Sequence, residues 1–158
     1  MGSSYFLNLQ RSIIKIAGHR ITEWADQSDA FMLPTIESLV VTQGPGGDRV
    51  FSDTGNRGGP VTIKVMPAGK DAKHLGLIAE KQRRGNPIII TGVAILDYGA
   101  AGKETVHLRG GGLISFPSGP TLGNAAPSHL EYVIDFADLE RDLTELNPAA
   151  AEAVTATV

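Results

Sequence analysis

The sequence predicts a mainly β protein with one flanking α-helix. Residues 61–65 and 130–136 alternate apolar and polar side chains, the period of a strand with one face in a core. The 19 glycines and the 6% aromatic content favour a turn-rich β protein over a helical bundle. A convincing helical period occurs at residues 70–84. A chain of 158 residues is most simply one domain, which buries about 70% of its unfolded surface.

Charge is distributed unevenly along the chain. Residues 131–158 hold seven acids and one base, for a net charge of −6, whereas residues 1–130 hold 13 bases and 10 acids, for +3. We interpret the acidic end as solvated. A nucleic-acid binder would show a clustered basic stripe with stacking aromatics, so this class is disfavoured.

Two other features of the composition exclude classes of protein. Cysteine is absent, which rules out disulfides and thiolate metal sites. The chain has no apolar run of about 18 residues and no basic-then-apolar leader, so neither a membrane span nor a cleaved signal is expected.

The N-terminal part predicts a hairpin followed by a polar loop. Residues 12–17 form a strand, residues 18–19 a tight turn, and residues 20–24 the return strand. Asp26 and Asp29 follow, without the ligand spacing or central glycine of a calcium loop. We expect these two carboxylates to hydrogen-bond the backbone of the turn.

A β-meander of three short strands is predicted next. Residues 37–42 are rich in β-branched side chains, and a glycine-rich turn at 44–48 ends that run. Residues 49–52 can return antiparallel to the first strand. A second glycine-rich turn at 55–59 then leads into the alternating strand at 61–65.

The predicted helix carries a narrow apolar stripe. Asp71 near its start and the bases near its end suit the helix dipole, and Gly85 is placed to end it. His74 lies beside the stripe with no partner nearby in sequence, so packing or solvent exposure is favoured over ligation or catalysis. The stripe consists of Ala72, Leu75, Ile78 and Ala79. Such a helix is expected to lie across a sheet.

The second half of the chain predicts further strands. Residues 88–96 are apolar on both alternating faces, which indicates a central strand covered by the core on one side and by a helix or another subunit on the other. Residues 104–109 return, and the glycines at 110–112 allow a bulge. Residues 130–136 form a final strand, residues 139–146 permit a short helical end, and the alanine-rich remainder is expected to fray.

No motif for catalysis, cofactor binding or metal binding is complete. Residues 99–104 (GAAGKE) lack the first glycine and the final Ser or Thr of a phosphate loop. The four histidines fall in separate predicted elements, and Ser115 and Ser118 have no nucleophile signature. We therefore expect a protein that is not an enzyme and has no cofactor and no metal site.

Four segments follow one another in an informative order: GHRITEWADQSDAF, GGDRVFSDTGNRGGPVTIKVMPAGKDAKHLGLI, PIIITGVAILDY and HLEYVIDFADL. In this order the chain resembles the tail tube proteins of contractile-tailed bacteriophages, in the superfamily that also contains type VI secretion tubes. The resemblance covers about residues 13–139 and includes Gly18, Asp26, Asp29, Gly58 and Leu75. A loop rich in glycine and proline at 44–47 and a longer tail after Leu139 depart from the family pattern.

The resemblance implies an antiparallel β-sandwich or partial β-barrel that oligomerises into a ring. Hexameric rings would stack into a hollow tube whose lumen conducts DNA during genome ejection, without binding it specifically. The implied partners are further copies of the chain, a tail sheath and a baseplate, with no membrane anchor. The implied location is the virion tail, assembled in the host cytoplasm. The chain is divided into an N-terminal arm (1–11), a tail-tube-like β domain (12–139) and an acidic, alanine-rich tail (140–158).

Candidate interface residues come from the same resemblance. Glu131 and Asp135 share one face of the last strand and are candidates for the lumen, because DNA slides past acidic side chains without sticking. An outer face toward a sheath is equally open for these two residues. The candidates for the ring or stacking interface surround the two glycine-rich turns: Gly44, Gly46, Gly47, Arg49, Arg57 and Gly58.

Two alternative functions remain open. One is a tube protein of a related contractile injection or type VI secretion system. The other is a stand-alone β-barrel module that binds an apolar ligand or a glycan, which requires a concave apolar pocket with a polar rim. A tube subunit instead requires flat surfaces with exposed sheet edges.

Overall fold

A computed structural model describes residues 7–122, 129–147 and 149. Within these residues the protein is mainly β with one α-helix, as the sequence predicts. The elements are β1 (Ile13–Ile16), β2 (His19–Arg20), β3 (Phe31–Met32), β4 (Leu39–Gln43), β5 (Arg49–Asp53), β6 (Gly59–Val65), α1 (Lys70–Arg83), β7 (Ile90–Asp97), a 3₁₀ turn (Gly99–Ala101), β8 (Lys103–Ser115) and β9 (Leu130–Asp142).

Seven strands form one antiparallel sheet in the order β2-β1-β7-β8-β9-β6-β3. The sheet curls into a half-barrel. β8 is irregular where it passes the glycines: Gly110 has φ +65°, and a Cβ on Gly111 would lie 2.6 Å from the Phe136 ring and 2.8 Å from the Ile90 carbonyl oxygen. The register between β7 and β8 shifts at the same place. This bulge confirms the role predicted for the glycines.

The core lies between the inner face of the sheet and α1. The four stripe residues of α1 are all buried, together with side chains from β1, β6, β7, β8 and β9. Gly85, with φ +88°, follows the helix end as predicted. β7 is an interior strand, although Val93 and Ile95 on its outer face are only half-buried in the single chain.

The predicted β-meander is wrong in its third strand. β4 and β5 pair with each other as a separate hairpin, whereas β6 joins the main sheet between β9 and β3. Val61, Ile63 and Val65 are buried, so pairing in the main sheet gives them a core that the isolated hairpin does not offer. Gly58 lets the chain pass close to β9, since a Cβ there would fall 1.9 Å from the Phe136 carbonyl oxygen.

Substitution of Gly58 by alanine is expected to be strongly destabilising. The new methyl group would meet backbone atoms of Phe136 and Ala137 between 1.9 and 2.8 Å away. The backbone of a paired strand cannot move aside without a large cost in free energy. We expect a loss of about 2–3 kcal/mol in the free energy of unfolding, measured by urea denaturation. Gly112→Ala is the matched control, because its Cβ would meet nothing within 4 Å. Equal stability of the two variants would contradict the close approach.

The first hairpin is shorter than predicted and its turn lies one residue earlier. Ile16 pairs with His19, so the turn consists of Ala17 and Gly18, both with positive φ. After β2 the Ile21 N–H still donates to the Ile14 carbonyl across the hairpin at 2.8 Å. The Thr22 and Glu23 N–H groups then turn toward another partner, described below. The two-residue strand β3, which pairs with β6, has no counterpart in the sequence prediction.

The predicted helical end at residues 139–146 is wrong. β9 continues to Asp142, and the chain then makes a turn, with Leu146 bridging to Gly102. Leu139 packs against the core and pairs with Leu108 of β8. Pairing along β8 therefore outweighs the helical spacing of the leucines.

Candidate assembly surfaces

The β4–β5 hairpin stands apart from the main sheet and is exposed along its whole length. Its register pairs Val41 with Phe51, and these side chains are 49% and 60% exposed. An isolated two-stranded hairpin is marginally stable in water, and exposed apolar residues in such density mark an interaction surface. The exposed apolar residues of the hairpin are Leu39, Val40, Val41, Val50 and Phe51.

Four of the predicted interface residues meet at the tip of this hairpin. The turn is closed by the Gly44 N–H, which donates to the Asp48 carbonyl at 2.8 Å, and by the Gly47 N–H, which donates to Gly44 at 3.1 Å. Gly47 has φ +87°, which only glycine adopts without strain. Gly46 lies between them, and Arg49 begins β5.

The other two predicted interface residues lie at the base of the hairpin. The Arg57 side chain is exposed and forms a weak 3.9 Å pair with Asp53, while its carbonyl accepts a 2.9 Å hydrogen bond from the Leu139 N–H. Gly58 is buried against β9. The structure therefore does not bring Gly58 together with the tip, and its position anchors the hairpin to the sheet.

The main sheet ends in two very short edge strands. β2 and β3 contain two residues each, so they cover only part of β1 and β6. Beyond Phe136, β9 no longer pairs with β6. Within the part of the chain that is described, that edge of β9 then carries one backbone hydrogen bond, from the Leu139 N–H to the Arg57 carbonyl. Open backbone groups on strand edges are templates for pairing with another chain.

Glu131 and Asp135 lie on the outward face of β9, opposite the core. Their side chains are exposed, whereas Tyr132, Ile134 and Phe136 point inward and are buried. Lys64 of β6 is the cross-strand partner of Glu131, but its ammonium pairs with Asp29 at 2.7 Å.

The same face continues in acids beyond the β-bulge. Asp138 and Glu140 both accept hydrogen bonds from Arg109, at 3.1 and 2.5 Å. Both hydrogen bonds raise the pKa of Arg109, and the bond to Glu140 has the larger effect. In the described ranges Glu131 and Asp135 form no ion pair, so they remain available negative charges on this face.

A cavity of about 270 Å³ lies between β7, β8, β9 and the segment that leads into the β4–β5 hairpin. Glu104 is 3% exposed there, accepts a 2.9 Å hydrogen bond from the Tyr98 hydroxyl and contacts the Arg141 guanidinium. The hydrogen bond from Arg141 is the main reason that the pKa of Glu104 is lowered. The apolar walls come from Leu33, Pro34, Ile36, Leu96, Val106 and Leu139. The cavity is slightly smaller than the range of about 300–1,000 Å³ that is typical of ligand sites.

A buried carboxylate joins α1 to the first hairpin, and no pattern in the sequence predicts this contact. Asp71, 1% exposed, accepts hydrogen bonds from the Thr22 and Glu23 N–H groups at 2.8 and 2.6 Å and from His19 at 2.6 Å. The His74 ring stacks on His19, with centroids 4.6 Å apart, and contacts the Ile16 carbonyl at 3.1 Å. His74 therefore has a packing role, as predicted.

The environment shifts the pKa of two members of this cluster. Burial raises the pKa of Asp71, but the hydrogen bonds from Glu23, His19 and Thr22 outweigh it, and the net pKa is lowered. The pKa of His74 is lowered chiefly by burial. Both shifts favour a carboxylate that holds the hairpin and a neutral His74 ring.

Within residues 7–122 and 129–147, no cluster of acidic, histidine or cysteine side chains is arranged to hold a metal ion. Nor does any helix there combine the length and apolar character needed to cross a membrane.

Comparison with known proteins gives matches in structure alone. No protein-family model matches the sequence, and no curated protein does. Three similar solved structures are the PVC sheath–tube complex of an extracellular contractile injection system, the tube-terminating cap of the anti-feeding prophage, and the PVC sheath/tube terminator.

The structural similarity extends over most of each chain. The TM-scores are 0.63, 0.63 and 0.64, each at 11% sequence identity. The alignments cover 87%, 90% and 88% of this chain, and 92%, 94% and 98% of the others. At this identity the similarity establishes the fold, and the chain has a tail-tube-like fold.

Proposed function

We propose that the protein is the structural subunit of a tube in a contractile tail or injection apparatus, assembled as hexameric rings that stack around a hollow axis. The observation that carries this proposal is a tail-tube-like half-barrel that presents a separate, fully exposed apolar hairpin. In a monomer such a hairpin adds no stability, because its apolar side chains are exposed to water and an isolated pair of strands is only marginally stable.

Ring closure follows from the incomplete sheet. The half-barrel has two-residue edge strands, and β9 has an open edge past Phe136. Pairing with the next copy around a closed ring satisfies these edges in every subunit at once. Val93 and Ile95 are half-buried on the outer face of β7. In the ring they are either covered by a neighbouring copy or exposed on a surface of the assembly.

Stacking follows from the hairpin. A hairpin that contacts a different patch on the next ring makes a head-to-tail interface, which repeats without closing and produces a filament. Gly44, Gly46, Gly47 and Arg49 form the tip contact and Arg57 borders it. Gly58 holds the base of the hairpin against β9.

The outward face of the sheet lines the lumen in this proposal, which leaves α1 on the exterior toward a sheath. Glu131 and Asp135 then project into the channel. DNA is the proposed cargo of a phage tail during genome ejection. The related alternative, a tube of an injection system, is supported by two of the similar structures, which belong to an extracellular contractile injection system.

Charge reversal in the lumen is expected to slow DNA passage and leave assembly intact. Glu131→Lys with Asp135→Lys changes the charge of each subunit by +4 along the channel. The added lysines would retain the DNA phosphates there. The measurement is the rate of DNA ejection from particles assembled with the variant chain. Asp26→Lys with Glu80→Lys makes the same charge change off this face and serves as the control. Unchanged ejection with the lumen variant would refute the assignment of this face.

Light scattering of the purified chain tests the proposed oligomer. A hexameric ring has a mass of about 100 kDa, six times the 16.7 kDa of one chain, and stacked rings are heavier. The binding-module alternative draws its support from the cavity that Glu104 lines, and it predicts a monomer. A mass of one chain at high concentration would overturn the tube proposal in favour of that alternative.

A further inference from the structure

The solvent face of α1 carries a continuous basic stripe around an exposed leucine. Its members follow one another at spacings of three and four residues, so they share one side of the helix. We name this the basic helix face: Lys70, Lys73, Leu77, Lys81 and Arg84. All five are exposed, and Leu77 is 56% exposed at the centre.

None of the four bases of this face forms an ion pair within the described chain. The nearest acids are Glu80, which interacts with Arg84 only electrostatically, and Glu23, whose carboxylate accepts from the backbone N–H of Lys70 at 3.4 Å. The ion pairs found there involve Arg57, Lys64, Arg83, Arg109 and Arg141, together with His19. Glu80, beside the basic helix face, is already engaged by Arg83 at 2.9 Å. Lys73 and Lys81, on either side of Leu77, form no ion pair with any acid in the described ranges.

The composition of the face favours a protein over a nucleic acid as its partner. An apolar centre within a charged rim is the usual anatomy of a protein interface. A single-strand binder would instead place aromatic side chains among the bases, and the basic helix face has none. Complementarity requires carboxylates around an apolar recess on the partner.

We propose that the basic helix face docks an acidic protein surface that encloses the assembled tube. This rests on the proposed function, which places α1 on the outside. The outward acids of this chain, such as Glu131, lie on the opposite face of the sheet from α1. A second copy could reach the basic helix face with these acids only by side-to-side contact between tubes, so a separate acidic protein is the better occupant.

A designed peptide tests the proposal on the full-length chain. The probe is a synthetic helix of about 15 residues with glutamates surrounding one leucine, and its binding is followed by fluorescence anisotropy. We expect binding that weakens with salt. Replacing its glutamates by glutamine, or Lys73→Glu with Lys81→Glu in the protein, should weaken binding by about tenfold or more. Replacing the peptide leucine by serine should weaken it further.

The matched control is Lys15→Glu with Arg20→Glu, the same charge change on paired positions of β1 and β2; binding should be retained. Equal loss in the control, or unaltered binding by the α1 variant, overturns the proposal. Tighter binding of duplex DNA than of the peptide would assign the face to nucleic acid. Side-to-side bundling of tubes that disappears in the α1 variant would assign it to a second copy.

Electron microscopy of the same samples separates the two proposals. Tubes that form but do not bind the peptide would contradict the role of the basic helix face alone. Peptide binding by a chain that forms no tubes would contradict the tube function and leave the acidic partner standing.

Discussion

Val41→Ser with Phe51→Ser is expected to abolish tube formation and leave single rings. The two side chains are direct cross-strand partners on the exposed hairpin, and the stacking contact would lose both apolar groups from every subunit. The loss is multiplied around the ring, because each of the proposed hexamer's six hairpins is altered. Tube length, measured by negative-stain microscopy and sedimentation, should fall to isolated rings.

The folded subunit should survive these hairpin substitutions. Both side chains are largely exposed in the single chain, so little burial is lost on folding, and the urea midpoint should stay nearly unchanged. Leu77→Ser removes an equally exposed apolar side chain from α1 and should leave tubes of normal length. Normal tubes in the hairpin variant would show that stacking does not depend on β4 and β5.

Asp71→Ala is expected to cause the largest loss of subunit stability. It leaves the Thr22 and Glu23 N–H groups and His19 without their acceptor in a buried site. Breaking a buried, hydrogen-bonded charge in this way costs about 3–5 kcal/mol. Urea denaturation measures the effect, with Glu80→Ala as the control, an exposed acid on the same helix. Similar stability of the two variants would mean that the Asp71 site does not hold the hairpin to α1.

The same cluster gives the stability a defined pH dependence. His74 has a folded pKa below the ordinary value of 6.5, so the unfolded chain takes up the proton first and the free energy of unfolding falls as pH drops below about 6.5. Asp71 has a folded pKa below the ordinary value of 3.8, so its contribution to stability is present above that value and is lost as pH falls through the folded pKa. His74→Gln should flatten the upper part of this decline. An unaltered pH profile in that variant would contradict the role of His74.

Local patterns predicted the elements whose partners are nearby or whose burial is one-sided. The stripe of α1 and the alternation in β9 each state which face meets the core, and both predictions are confirmed. β6 was predicted as a strand for the same reason. The predicted pairing of β6 is wrong, because alternation shows which side chains are buried and carries no information on which strand supplies the hydrogen bonds.

The unpredicted features depend on contacts between distant residues. Asp71 and His19 are 52 residues apart, and the histidine of a short hairpin gives no local sign of a buried acceptor. β3 has two residues, too few for any period to appear. The hairpin tip was identifiable from its glycines, whereas the buried role of Gly58 became visible only from the approach of β9.

The central claim is that identical copies complete this half-barrel around an open axis, and negative-stain electron microscopy of the purified chain tests it most directly. The account predicts rings with a stain-filled centre, alone and in stacks. Compact particles of a single chain, without a central hole at any concentration tried, would contradict it.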